Sequence, residues 1–332
     1  MRTWNLAKKK KNVLTQLEEL RFTETTSIKP ENIIKIGGAI KSTLNESIRQ
    51  GLEKAEKIIV ISKIPIPFEL YSYKLEGEEV PLCTLKAMGR ICSTDIIDTS
   101  IMVALNMMRR MVTKSGEKAL IVAPRYEGEW RLDDAINEAK ILLKELNRIF
   151  DKNIVNKVDE IINKNWLLPN FKEPLKLFHF SGHGHFTDNK SCLVLSASEE
   201  REPEFLFPDD LENYVSKEGL IKGYPIVFTS ACVTGKIRKS KSGLEGLASQ
   251  FIKSGATCFI GTLWEITDKS AREFATHVYA NLDQFDKSLG DLILESRKNL
   301  YEKCKLILKK EDFYDPTYIS FVLFGDTTLK KR

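Results

Sequence analysis

Apolar residues in the amino-terminal part of the chain recur at helical spacing. Val13, Leu17 and Leu20 within residues 1–29, then Ile36, Ile40, Leu44 and Ile48 between Ile33 and Leu52, predict amphipathic helices packed beside a core or against another protein. The pattern then shortens. Ile58-Ile59-Val60-Ile61 predicts a first strand, and the alternating prolines of Pro65–Leu70 predict extended chain. Leu82–Cys92 reads equally as a short helix or a strand with its connection. Ile101, Leu105 and Met108 predict a short helix over 100–111, whose methionine and arginine cluster also suits a docking surface. Lys118–Ala123 is the next strand. A helix over 132–150 follows, with Ile136, Leu142, Leu143 and Leu146 along its stripe and Asp133 and Asp134 near the positive end of its dipole.

Leu175–Phe180 is an apolar run that stops at Ser181-Gly182-His183-Gly184, as a buried strand does on leaving a sheet. Cys192–Leu195 predicts a short adjoining strand, Leu211–Val215 a short helix, and Pro225–Thr229 a strand ending in Ser230-Ala231-Cys232-Val233-Thr234-Gly235. Gly243–Lys253 predicts a helix and Ala256–Ile260 a strand that ends in Gly261–Glu265. Thr267 or Asp268 caps the next helix, whose stripe is Ala271, Phe274, Ala275, Val278 and Leu282. Ser288–Leu300 reads as a final helix and Tyr318–Phe324 as a closing strand. Five strand-to-helix steps with mostly apolar strands predict an α/β fold with a largely parallel sheet covered by helices.

Composition narrows the class. At 332 residues with 42% hydrophobic, the chain can build a substantial core in one large domain or two smaller ones. The net charge of +5 is modest, and Lys8–Lys11 reads as a solvated helix face, with none of the interleaved aromatics of a nucleic-acid tail. No apolar run approaches the ~20 residues of a membrane span, and the lysine run lacks a following signal-peptide core. The six cysteines (83, 92, 192, 232, 258 and 304) form no CxxC pair, and Cys192 and Cys258 lie in strand-like runs as small core residues. A reducing, cytoplasmic setting is expected, without membrane association.

Chemistry gathers at two strand exits. Glycines on both sides of His183 permit unusual dihedrals and a sharp turn that leaves the imidazole open to a neighbouring strand end. If the Leu175 and Pro225 strands are parallel neighbours, His183 and Cys232 share the carboxyl edge of the sheet, where open α/β folds keep their chemistry. A free thiol has a pKa of about 8.5, and a nearby imidazolium favours the thiolate. The pair is a candidate for thiolate attack on a carbonyl. His179 reads as packed or hydrogen-bonded within its strand, and His185 either orients the loop or lies on the surface. The three histidines lack the carboxylate or cysteine to complete a zinc site, so neither metal nor cofactor is expected. Lys236, Arg238, Lys239 and Lys241 mark an exposed loop: a solvated insertion, a regulatory or self-cleaved segment, or an anion-binding edge.

These blocks resemble the CHAT family of caspase-like cysteine proteases, which shares a clan with caspases and separase. The resemblance is carried by His179–Phe186 (HFSGHGHF), Phe228–Gly235 (FTSACVTG), Phe251–Ala271 (FIKSGATCFIGTLWEITDKSA) and Tyr318–Leu329, with Ile64–Leu70 similar to the family's early segment. It implies a caspase-like domain over 44–332, after a helical extension over 1–43, divisible into a pseudo-protease half (44–150) and a catalytic half (151–332). It implies His183 as base and Cys232 as nucleophile in peptide-bond hydrolysis through an acyl-enzyme, with the backbone amides of Gly184 and Cys232 meeting the oxyanion. Trp264–Asp268 resembles the segment bordering the substrate groove, so Trp264, Glu265 and Asp268 are expected to contact substrate. Glu265 or Asp268 at the floor of a pocket would select Arg or Lys, although Asp188, Asp209 or Asp210 could enter the same groove. Ser230-Ala231-Cys232-Val233-Thr234 departs from the caspase block, so aspartate specificity is not implied. A protein substrate and an activating partner or sensor in bacterial defence or signalling are expected, with nucleic acid involved only indirectly. The alternative is a catalytically silent caspase-like module that binds protein.

Overall fold

The computed structural model describes residues 28–62, 66–92, 118–151, 153–187, 190–199, 201–240, 243–283, 286–311 and 314–330. The helix expected from Val13, Leu17 and Leu20 and the one expected over 100–111 lie outside these residues. Helices α1 (Pro30–Thr43) and α2 (Glu46–Lys54) replace the single helix expected over 33–52. Between them Asn45 takes an extended conformation and its Oδ1 accepts the Ile48 amide at 2.9 Å, capping α2. Ile36, Ile40, Leu44 and Ile48 are all buried across the break, which is why the periodicity reads as continuous.

Strand β1 (Lys57–Ser62) is followed by a 3₁₀ turn at Phe68–Leu70, where extended chain was expected. A proline lacks a donor but keeps its carbonyl, and Pro67 uses it to accept the Leu70 amide at 3.0 Å. A hairpin, β2 (Ser72–Leu75) with β3 (Glu78–Pro81), leads through another 3₁₀ turn to β4 (Ala87–Cys92). Arg90 of β4 makes a two-pronged buried pair with Glu69, its Nε donating to Oε1 at 2.6 Å.

The second half holds β5 (Lys118–Pro124), α3 (Asp133–Phe150), β6 (Ile154–Glu160) and β7 (Leu175–Ser181), then β8 (Gly184–Thr187), β9 (Lys190–Ser198) and β10 (Arg201–Leu206). The strand expected at Cys192–Leu195 therefore belongs to a separate antiparallel sheet, β10-β9-β8, not to the sheet of β7. After α4 (Pro208–Glu218) and β11 (Ile226–Ser230), β12 (Arg238–Ser240) pairs with β13 (Gly243–Glu245), and α5 occupies only Leu247–Lys253. The helix expected from Gly243 thus starts four residues late, because its first turn is taken up by the hairpin. β14 (Cys258–Thr262), α6 (Asp268–Ala280) and α7 (Leu289–Glu311) follow. Tyr318–Ser320, expected as strand, lies in one helical turn, Thr317–Ser320, before β15 (Phe321–Phe324).

The central sheet has eight strands in the order β1-β4-β15-β14-β11-β7-β5-β6. Its one antiparallel pairing among the described residues joins β14 to β15, so the fold is mixed α/β with a mostly parallel sheet. Adjacent residues of β7 show what covers each face: Phe178 meets Phe171 and Phe251 of α5, while His179 meets Glu138 of α3 and Tyr279 of α6. Side chains alternate along a strand, so α3 and α6 cover one face and α5 the other.

Candidate active site

Strands β7 and β11 run parallel with Ser181 opposite Ser230. His183 and Cys232 each stand two residues beyond that pair, so one register fixes both at the carboxyl edge. The flanking glycines serve space rather than dihedral freedom: neither takes a positive φ. A Cβ on Gly184 would lie 2.0 Å from the Cys232 carbonyl oxygen, and one on Gly182 would lie 2.4 Å from the Tyr126 hydroxyl. The two exits touch through backbone. The left-handed turn after the cysteine is likewise made by Val233 at φ +54°, a β-branched residue in a region it rarely adopts, and not by Gly235. Thr262 Oγ1 and Thr234 Oγ1 hold that turn by donating to the Ala231 carbonyl at 2.6 and 3.1 Å.

Two aromatic residues after β5 complete the histidine's surroundings, and the sequence reading passed over both. His183 Nε2 donates to the Trp130 carbonyl at 2.7 Å. A carbonyl can only accept, so Nε2 carries the proton and Nδ1 keeps the basic lone pair. The His183 amide donates to the Tyr126 hydroxyl at 3.1 Å, which in turn donates to the Val194 carbonyl at 2.7 Å. The rings of Tyr126 and Trp130 meet the imidazole edge to face, at 4.7 and 5.6 Å between centroids. The available signal was topological: β5 is the other neighbour of β7, so the segment after it reaches the same edge.

Of the five described free cysteines, Cys232 is the one that is not buried. Partial burial still pushes its thiol up to about 11, with Glu265 and Asp268 adding to the rise and the Ile266 backbone amide opposing it. The Asp268 carboxyl is also held above its ordinary range, by burial first and by Asp134 and Glu138, while His183 and Arg272 draw it down. Glu265 and Asp268 therefore lie on the thiol's side of the molecule, both exposed. Trp264, expected to border substrate, instead packs in the core at 1% exposure, where its indole removes apolar area from water. Asp188 lies outside the described residues, while Asp209 pairs with Lys190 and Asp210 with Lys164.

The loop carrying Ile266 is held from the carboxyl-terminal side. Thr267 precedes α6 without a side-chain cap, because its Oγ1 donates to Asp315 Oδ2 at 2.9 Å, beside Ser270 Oγ at 2.5 Å. Beneath the site, Glu138 accepts from His179 Nε2 and Ser230 Oγ, each at 3.0 Å, bridging the two strands that end in His183 and Cys232. His179 is fully buried and His185 lies exposed against Phe205, so the three histidines do not converge. The loop after Cys232 departs from the exposure expected of it: Lys236 is 4% exposed, with Nζ 5.1 Å from the centre of the Phe186 ring.

A family model for the CHAT domain matches residues 102–326. The chain belongs to the CHAT family. Among solved structures, this CHAT chain is similar to the separase of the Saccharomyces cerevisiae separase–securin complex, with 14% identity over 76% of the chain and a TM-score of 0.50. It spans 14% of that separase chain. It is also similar to the Arg-specific cysteine proteinase gingipain R, with 12% identity over 96% of this chain and 76% of that one, at a TM-score of 0.63. A complex of the pro- and mature domains of the Porphyromonas gingivalis proteinase gives 13% identity, coverage of 97% and 78%, and a TM-score of 0.61. Separase and gingipain are caspase-like cysteine proteases, and the CHAT chain has their fold. No curated protein matches it in sequence. Among the described residues no helix is long and apolar enough to cross a membrane.

Proposed function

We propose that this CHAT domain is a cysteine endopeptidase acting on a protein substrate. The observation that carries the reading is that His183 and Cys232 each stand two residues beyond one parallel register pair, with the imidazole tautomer set by the Trp130 carbonyl. His183 Nδ1 takes the thiol proton, and the thiolate attacks the scissile carbonyl. The tetrahedral intermediate collapses as the imidazolium protonates the leaving amine, and water then releases the acyl group from Cys232. The amides of Gly184 and Cys232 meet the oxyanion. In support, the Val194 amide donates to the His183 carbonyl, which makes Gly184 and Leu193 a non-hydrogen-bonded pair and turns the Gly184 amide away from that ladder. Glu265 and Asp268 favour a basic residue before the cleaved bond by charge.

A thiol near 11 is about one ten-thousandth ionised at neutral pH, which fits a resting enzyme awaiting an activating partner in bacterial defence or signalling. The same observation favours a second reading, a silent module that binds protein through its sheet edge. The experiment is a proteome-derived peptide cleavage screen read by mass spectrometry, with wild type, Cys232→Ala and His183→Ala, each with and without the product of the adjacent gene. Cuts lost in both variants establish the endopeptidase. Identical peptide sets in all three, with the partner present, assign the chain to the binding reading.

A further inference from the structure

The segment after β5 gives the proposed mechanism one main-chain carbonyl, that of Trp130, and leaves its side chains unused. Tyr126 bridges to Ala197 of β9, the Glu127 amide donates to the Ala197 carbonyl at 3.0 Å, and a 3₁₀ turn follows at Gly128–Trp130. The segment is therefore laid along the small sheet β10-β9-β8. Tyr126, Val194 and Ala197 are buried together between the two, and Trp130, Leu132 and Phe205 pack against them half-buried. Phe205 of β10 is paired with Val194, and its ring stacks on the exposed His185 of β8 at 6.3 Å between centroids. An apolar shelf thus runs from the histidine's exit across to β10. Apolar area left open in one patch beside reactive groups is characteristic of a ligand surface.

The proton chemistry says what occupies the near end of the shelf. His183 Nε2 is committed to the Trp130 carbonyl, so Nδ1 takes the thiol proton and hands it to the leaving amine. That nitrogen must come within about 3 Å of Nδ1. The Cα that follows is bonded to it at about 1.5 Å, which brings the first side chain of the leaving fragment against the rings around the imidazole. Among the described residues two rings meet the imidazole, Tyr126 at 4.7 Å and Trp130 at 5.6 Å. Tyr126 is buried, with its hydroxyl committed to the Val194 carbonyl, so the half-buried indole is the surface on offer.

We propose that Trp130, Leu132 and Phe205 form the subsite for the residue that follows the cleaved bond, and that they select a large apolar or aromatic side chain there. This rests on the endopeptidase reading, since the leaving amine is what carries the occupant past His183. None of the three side chains bears a charge, so removal of apolar area from water is what the subsite has to offer. Phenylalanine or leucine gains from it, whereas glycine brings no side chain to bury.

Peptides cut in the cleavage screen, remade in pairs with phenylalanine or glycine after the cut, test this in wild type, Phe205→Ser, Phe205→Leu and Leu132→Ser. The matching leaving fragments, short peptide amides with a free amino terminus that begin with phenylalanine or glycine, are titrated by NMR and need no turnover. In the wild type kcat/KM and fragment affinity should each favour phenylalanine by about tenfold. Both ratios should fall toward one in the two serine variants and return in Phe205→Leu. A merely structural defect would slow both peptides of a pair alike and leave their ratio as it was. A ratio of one in the wild type, or a wild-type ratio in the folded serine variants, overturns the proposal and leaves the endopeptidase standing. Preferential binding of phenylalanine fragments with no Cys232-dependent cleavage of any peptide removes the endopeptidase and the leaving-group assignment together, and makes the shelf a seat for a partner's apolar side chain.

Discussion

At the scale of single residues, contacts around His183 make sharper demands than its chemistry alone. Gly184→Ala puts a methyl group 2.0 Å from the Cys232 carbonyl, a backbone atom that cannot step aside. The two strand exits must separate, and Cys232-dependent cleavage should fall by about a hundredfold, since an ångström of misplacement costs that much. Tyr126→Phe strands the His183 amide and the Val194 carbonyl together. Thermal unfolding should show a loss of about 1–3 kcal/mol. The thiol gives a third check. With its pKa raised to about 11, alkylation of Cys232 by iodoacetamide should climb throughout the range from pH 7 to pH 10, where an ordinary cysteine has levelled off near pH 9. His183 and Cys232 were legible because glycines and small residues after apolar runs announce strand exits. Trp130 was not, since what it supplies is a main-chain carbonyl, and any residue has one. Lys236 was misread for a related reason: composition records a charge but not the direction its stem takes.

At the scale of elements, the loop from Leu263 to Thr267 is set by what packs behind it. Its own amides reach the Ser320 carbonyl and Thr317 Oγ1, and Asp315 gathers the hydroxyls of Thr267 and Ser270. Asp315→Ala should loosen this loop, let water reach the thiol, and so lower its pKa, because burial is the leading cause of the rise. Iodoacetamide should then react faster at pH 7 than with wild type, and a slower reaction would refute the account. Periodicity located β1, β5, β7, β9, β11, β14 and β15, since an apolar run in a covered sheet has few other uses, but it left β4 open and passed over the short or half-polar strands β2, β3, β6, β8, β10, β12 and β13. It failed where two elements share one stripe, as at α1 and α2. It failed again where a hairpin replaced a helical turn, at Gly243, because short polar segments carry no period to read.

At the scale of the whole molecule, the Glu69–Arg90 pair joins the turn after β1 to the sheet. Burial alone would raise the Glu69 pKa, but Arg90, with help from Arg297, holds it below its ordinary range. A carboxylate depressed in the folded state stabilises the protein above its unfolded pKa, and that contribution is lost as pH falls through the folded value. The domain should therefore lose stability in acid below about pH 4, and Arg90→Met, which takes away the hydrogen-bonded partner of the buried carboxylate and leaves it only the charge of Arg297, should cost about 3–5 kcal/mol by denaturant unfolding at pH 7. The class of fold followed from counting strand-to-helix steps, while the reversal of direction between β14 and β15 did not, because register and orientation are written in neither composition nor period.

That reversal has a temporal meaning. Among the described residues β1 and β4 reach the rest of the sheet only through β15, and the cradle of the thiol loop is made by Asp315, Thr317 and Ser320. During synthesis the early strands must wait for almost the last part of the domain to leave the ribosome, and so must the seat of Cys232. A nascent chain halted before Asp315 carries His183 and Cys232 but none of the contacts that seat the loop beside the thiol, so the proposed protease would stay unfinished until the closing strand of the domain has emerged.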